Sequence, residues 1–295
     1  HRAVVRMDRT ADAVHVGIPW RRLDEHPERK EVLVVREGQQ EPVANRVLLD
    51  CTNDSGDVVF QADTAGDYYV YYMPYEPKHQ MGFGSEAYSS FTETADAAWV
   101  ARHEFTGKTP RDIEEATVRA FQARGEFNRF DPMEIAATNA EVVALLEQHP
   151  EQPFLVFPED RRNPIRMRDK LPLLWIRRGV QPRFEAEAAR NEFFAFQAGV
   201  FAARQALEEV RVSCSDLVSS GGAVLPASLF RCINLGGVDW TGKAFSKRVD
   251  VPLGQVQPMW CGIAVPEDAQ PGVYTGDVTL SASGTDPVRV ALSLT

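Results

Sequence analysis

Apolar and polar residues alternate through the first 75 positions as they do in strands. Within 13–18, Val14, Val16 and Ile18 fall on one face, because successive strand side chains point to opposite sides. Residues 31–36, 47–49 and 58–60 are further Val- and Leu-rich runs, and 67–72 is rich in tyrosine and ends near Pro74. The polar cluster Asn53-Asp54-Ser55-Gly56-Asp57 separates two of these runs. It reads as a hairpin turn, since Asn, Asp and Gly tolerate left-handed backbone angles. Gly82-Phe83-Gly84-Ser85 reads as a flexible loop.

The period then changes. Thr109 is a suitable N-cap, Pro110 suits a first helical position, and Ile113, Ala116, Thr117, Ala120 and Phe121 recur at helical spacing up to Gly125. Asp131-Pro132-Met133-Glu134 resembles a capping box, followed by a stripe of Ile135, Val142, Leu145 and Leu146 that stops at Pro150. The spacing predicts an antiparallel helical pair near 109–149, packed on the first β-domain. Strand patterning returns at 154–157, the polar stretch 158–164 reads as a turn, and 173–176 is another apolar run. Charges, Gly179 and Pro182 between 177 and 183 suggest a domain boundary. Beyond it, runs at 193–201, 209–213, 230–234, 248–251, 259–265, 274–282 and 288–294 give about seven strands in about 110 residues, the density of an immunoglobulin-like sandwich. The expected fold is therefore mainly β: two immunoglobulin-like β-sandwich domains, 1–180 with the inserted helical pair and 181–295.

Composition adds exclusions. The chain has 295 residues, 44% apolar and 25% charged, with net charge −10. That is enough chain for a sizeable core without disulfides, and the negative field disfavours nucleic acid as a partner. No apolar run approaches the ~20 residues of a membrane span, and the opening residues read as a strand, with no signal peptide. Cys51, Cys214, Cys232 and Cys261 form no CxxC pair. They read as buried free thiols, with a single disulfide or a metal site as the alternatives.

Several stretches carry a family resemblance. They are Trp260-Cys261-Gly262-Ile263-Ala264-Val265-Pro266 followed by Pro271-Gly272-Val273-Tyr274-Thr275-Gly276-Asp277-Val278, with residues 157–161, 191–197 and 230–240. Ile18-Pro19-Trp20-Arg21-Arg22 and Tyr71-Tyr72-Met73-Pro74-Tyr75 fit the same group. In this order they resemble the N-terminal region of bacterial proteins related to glycoside hydrolase family 123. The resemblance implies non-catalytic sandwiches ahead of a glycosidase barrel in which an adjacent Asp-Glu pair supports catalysis by the substrate's acetamido group on N-acetylgalactosaminides. It implies a downstream catalytic domain of the same polypeptide as partner, and a secreted, periplasmic or cell-surface location in preference to the cytoplasm. The sequence ends in what reads as the last strand of the second sandwich, before any such barrel, so no catalytic residue is carried over.

Within the chain, glycoside hydrolysis would need two carboxyl groups flanking a bond. Asp24-Glu25 and Glu267-Asp268 sit in polar loops, whereas Glu159-Asp160 follows an apolar strand. Its plainer reading is a turn ion-paired to Arg161 or Arg162. The six scattered histidines offer no metal motif, and residues 53–57 lack the distal Glu of a full calcium loop. No cofactor is expected. Carbohydrate contact could fall to Trp20, Arg21, Tyr72, Tyr75, Glu159, Asp160, Asp239 and Trp240, because aromatic rings stack on sugar C–H faces while polar neighbours bind hydroxyls. The competing reading has the tyrosines covering a sandwich face and an Arg stacked on Trp20. The functional expectation is an accessory part of an N-acetylhexosaminidase-like glycosidase, not catalytic alone. The alternatives are an independent carbohydrate-binding module and a structural or protein-interaction sandwich.

Overall fold

The structure is a computed structural model describing residues 1–77, 86–105, 113–126 and 129–295. It forms two compact units, His1–Asp131 and Pro132–Thr295. The loop expected at 82–85 and the helix start expected at Thr109 lie outside the described residues.

In the first unit, strands β1 (Arg2–Met7), β2 (Ala11–Ile18), β3 (Leu33–Arg36), β4 (Arg46–Cys51), β5 (Gly56–Ala62) and β6 (Gly66–Tyr71) are joined by a short hairpin of β7 (Tyr75–Pro77) and β8 (Glu86–Tyr88). Helix α1 (Ala97–His103) and strands β9 (Glu114–Ala116) and β10 (Val118–Gln122) follow. One sheet runs β10-β1-β6-β3 and the other β4-β5-β2-β9. Their facing side chains, among them Val5, Val14, Val16, Ile18, Phe60 and Val70, make one core. The alternation read at 13–18 thus sets the inner face of β2. On that strand's outer face, Ala13 joins Val59 and Trp99 in a second cluster under α1. Asp96 caps α1 by accepting from the Trp99 backbone N–H at 3.0 Å.

The expected first helix is corrected. Its described part is strand: β9 runs parallel to β2, and β10 antiparallel to β1. Helical spacing over ten residues is weak evidence when two sheet edges need partners. The cross-strand pair of Glu115 with His15 (2.7 Å) and an ion pair of Glu114 with Arg9 in the β1–β2 connection (2.8 Å) reward the extended form.

The second unit contains α2 (Asn139–Gln148), β11 (Leu155–Asp160), α3 (Leu173–Arg178), β12 (Arg183–Ala186), β13 (Phe193–Phe201), β14 (Arg211–Cys214), β15 (Leu217–Ser219), β16 (Val224–Leu225), β17 (Phe230–Cys232), β18 (Gly236–Val238), β19 (Ala244–Ser246), β20 (Val256–Ala264), β21 (Tyr274–Ser281) and β22 (Val288–Leu294). The sheet β11-β13-β20-β17 faces a second sheet, β12-β22-β21-β15-β16, to which β14 adds on β21. Between them lie Phe194, Phe196, Val200, Met259, Ile263, Leu280 and Leu292. The other face of the first sheet is covered too: Trp175 of α3 and Leu145 of α2 pack with Leu155, Phe157, Phe201 and Val256.

That covered face moves the boundary. The division falls at Asp131/Pro132, not near 180, because β11 pairs with β13 along six residues and both helices pack on this unit's own sheet. The helix expected from Asp131 begins at Asn139, where Thr138 and Glu141 form the capping box. Ahead of it, Ala137 N–H donates to Leu171 O at 2.8 Å. The apolar run 173–176 is helical, with Trp175 turned onto the sheet. Residues 248–251 form no strand; Val251 only bridges to Leu207.

The residues of the Trp260–Val278 stretch have structural work. Trp260 N–H donates to Asn234 Oδ1 at 2.6 Å, and Tyr274 OH donates to Gln270 O at 2.8 Å, closing the connection across Gly272. Gly276 lies where β14 and β15 meet β21. A Cβ there would sit 2.6 Å from Leu217 Cδ2 and from Ser215 Oγ. Gly276→Ala should therefore cost about 1–3 kcal/mol of stability by overpacking, read as a lower urea midpoint.

Candidate functional site

In the first unit the structure gathers Trp20, Arg22 and Tyr72, all buried. The Trp20 ring lies against Gly56, whose missing Cβ leaves the space, and its Nε1–H donates to Thr52 O at 2.8 Å. Tyr72 packs at 5.6 Å between ring centroids. The Arg22 guanidinium sits 5.2 Å from the Trp20 ring centroid and donates two hydrogen bonds to Asp24, at 2.8 and 2.7 Å. Lys30 donates to the same carboxylate at 2.7 Å. The turn expected at 53–57 closes this cluster: Asn53 Nδ2 donates to Arg22 O and Asp24 O.

These contacts correct the sugar-stacking role given to Trp20 and Tyr72. Their faces are spent on the core, and the Arg-on-Trp arrangement is the one observed. Arg21 occupies the left-handed region at φ 52 and donates its N–H to Asp54 O. Tyr75 begins β7, and its side chain is outside the described residues. Burial raises the Tyr72 phenol, and it pushes the Cys51 thiol up to about 11. Burial alone would raise Asp24 as well, but the bonds from Arg22 and Lys30 outweigh it and hold the carboxyl below its usual range. Sequence reasoning set Asp24 aside as a loop residue. The signal was the cationic pair at two and six residues' distance.

A polar groove of about 440 Å³ also lies in this unit, with Asn45 and Gln61 in its wall. Their amides are committed elsewhere: Asn45 Nδ2 donates to Gln61 Oε1 at 2.7 Å, and Gln61 Nε2 donates to Asp12 at 2.9 Å.

In the second unit Glu159 and Asp160 are the last residues of β11, so they project to opposite faces. Glu159 is buried on the helix-covered face. It accepts from Trp175 Nε1 (3.1 Å), Arg178 Nη1 (3.1 Å), Asn163 Nδ2 (2.9 Å) and Asp160 N (3.2 Å). Asp160 accepts from Arg162 Nε and N, both at 2.8 Å, which hold its carboxyl lowered against the opposing effect of burial. The expected partner of Asp160 is therefore present, whereas that of Glu159 is Arg178. That arginine went unnoticed because the apolar run before it does not reveal in sequence that it is a helix turned back onto β11. Two carboxylates on opposite faces cannot flank one glycosidic bond.

Asp239 and Trp240 form the tip of the β18–β19 hairpin. Asp239 Oδ1 accepts from Thr241 N (2.8 Å), Thr241 Oγ1 (2.7 Å) and Lys243 N (2.9 Å), bonds that lower its carboxyl. This Asx turn presents Trp240 at 96% exposure. Of the proposed sugar-contact aromatics with described side chains, only Trp240 offers a ring face to solvent. Among the described residues there is no group of three or more His, Cys, Asp or Glu placed to hold a metal ion.

Two predictions follow from this geometry. Glu159→Ala strips acceptors from buried Trp175 and from Asn163 and should lower stability by about 2–3 kcal/mol, against less than about 1 kcal/mol for Asp160→Ala, by chemical denaturation. Because Asp24 is lowered in the folded state, its contribution is present above the unfolded value of about 3.9 and is lost as pH falls through the folded one. Urea midpoints between pH 6 and 3 should show that acid loss, and Asp24→Asn should flatten it.

Comparison with known proteins places these features. A family profile described as "Glycoside hydrolase 123, N-terminal domain" matches residues 1–124, and one described as "Glycoside hydrolase 123 N-terminal domain" matches residues 237–282. No curated protein matches the sequence. Among solved structures, a family 123 glycoside hydrolase from Clostridium perfringens is similar at 15% identity and TM-score 0.34, over 40% of this chain and 23% of that one. A PapD-like domain of human CEP192 is similar at 13% identity and TM-score 0.27, over 39% and 80%. The fimbrial subunit MyfA of Yersinia enterocolitica is similar at 11% identity and TM-score 0.25, over 36% and 94%. Scores this low carry no functional information. The two profile matches do: this chain belongs to the N-terminal region of glycoside hydrolase family 123-like proteins.

Proposed function

We propose that the chain supplies non-catalytic accessory domains of an N-acetylhexosaminidase-like glycoside hydrolase. They would brace or line one side of a sugar cleft built mainly by a catalytic barrel elsewhere in the polypeptide. The observation that carries this reading is the pair of N-terminal-domain matches, in a chain whose best-placed acid pair is divided between two faces of β11. A carboxylate such as Glu159, held by four donors and shut from solvent, braces a fold and does not transfer protons to substrate. The chain alone should give no turnover of aryl N-acetylhexosaminides above the uncatalysed rate. Turnover that Asp160→Asn abolishes would overturn the reading.

A second reading is favoured by one observation, the exposed Trp240 ring on its braced hairpin. In this reading the hairpin contacts glycan directly through ring stacking. It predicts glycan-array signal that Trp240→Ala removes without changing the melting temperature. A flat array with the wild-type chain counts against it.

A further inference from the structure

Three of the four thiols lie in or against the core of the second sandwich: Cys261 is buried within it, and Cys214 and Cys232 pack on it half-buried. Two of them stand in a special relation. β17 and β20 pair antiparallel with Cys232 directly opposite Cys261. Directly opposed residues on neighbouring antiparallel strands have Cα atoms about 4.5–5.5 Å apart and side chains on the same face. A disulfide requires Cα separations of about 4.4–6.8 Å. Asn234, just past β17, accepts the Trp260 N–H, which pins the end of β17 beside β20. The thiols are therefore held together by the ladder. Cys214 sits on β14, in the opposite sheet of the sandwich.

We infer that Cys232 and Cys261 are a cross-strand disulfide site, closed by a disulfide-bearing oxidant such as glutathione disulfide or a thiol–disulfide oxidoreductase.

The chemistry of the two thiols divides the roles. Cys232 is the half-buried partner, the less enclosed of the two. Its thiolate is favoured by the hydrogen bond from Cys261 and, against the effect of burial, by the backbone N–H groups of Asn234 and Leu235. Cys261 is pushed the other way by that same bond and by burial. Its thiol also lies 3.5 Å from Met259 O, a second acceptor for its proton. The Cys232 thiolate attacks one sulfur of the oxidant and expels a thiolate, giving a mixed disulfide. Cys261 then loses its proton and attacks Cys232 Sγ, expelling the second thiolate. Two protein thiols are oxidised and one oxidant disulfide is reduced to two thiols, so electrons balance. The bond closes a loop of about 30 residues around the β18–β19 hairpin. It would matter most for a protein working in an oxidising compartment.

The test uses the full chain, reduced and then incubated with glutathione disulfide. Two of the four thiols should vanish from a thiol-reagent titration, with an intact mass lower by about 2 Da and a linked peptide joining Cys232 to Cys261. The Cys51→Ala/Cys214→Ala variant should behave alike, and Cys232→Ala should block the change. The oxidised chain should melt roughly 5–10 °C higher than the reduced one. Four persisting thiols, a link through Cys51 or Cys214, or an unresolved glutathione adduct on Cys232 would each refute the inference. Cys232→Ala alters a half-buried side chain and so tests the site even if changes at buried Cys261 prevent folding.

Discussion

The second unit depends on a sheet that is buried on one face along its length and on the other over the part that α2 and α3 cover. β13 and β20 pair along nine residues, from Phe193 opposite Ala264 to Phe201 opposite Val256. Phe194, Phe196, Ala198 and Val200 point into the sandwich. On the other face Gln197, Gly199 and Phe201 lie under the helices, where Trp175 stacks on Phe157 at 4.5 Å and lies over Gly199, whereas Phe193 at the strand's start is exposed. Burying apolar area on both sides stabilises the ladder twice over, at roughly 25 cal/mol per Å². It also forbids any polar group there without partners.

That prohibition accounts for the polar residues of the covered face. Gln197 is fully buried. Its Oε1 accepts from Ile165 N at 2.9 Å, and its Nε2 donates to Asp160 O and Asn163 O. Glu159 is satisfied in the same way by Trp175, Arg178 and Asn163. The two side chains tie the turn after β11 and helix α3 to the sheet. The residue that the sequence offered as half of an acid pair is thus part of the mechanism by which a helix is fastened over a strand.

The first unit repeats the lesson with aromatic residues. Trp20 carries a polar edge and a broad apolar face, the features of a sugar platform and equally those of a core residue with one hydrogen bond. Gly56 decides between them by leaving room for the ring inside the sandwich. Trp240 has no such cavity. Its hairpin is instead shaped by Asp239 and by Gly236, at φ 145, where a Cβ would meet Phe245 O at 2.3 Å. The same residue type is withdrawn in one unit and displayed in the other, and the difference lies in what stands opposite.

Much of this was legible in the chain. The period-two pattern of 13–18 specified a strand and its buried face, because alternation has one physical solution beside a core, and the runs at 58–60 and 274–282 marked strands. The ordered motifs from Trp260 to Val278 specified the family. Other features were not legible. Residues 114–122 carry helical spacing yet fill sheet edges, and 173–176, an apolar run that specifies neither geometry, folds as α3, because short apolar runs fit either geometry until a partner surface chooses. The boundary and the opposition of Cys232 to Cys261 depend on register between strands distant in sequence, and the partner of Glu159 on where α3 packs. By itself the sequence determined strands, faces and kinship, which are local or ordered along the chain. Only the tertiary structure decided which side chains are sealed, which are shown and which thiols meet, because those are properties of what packs across from each residue.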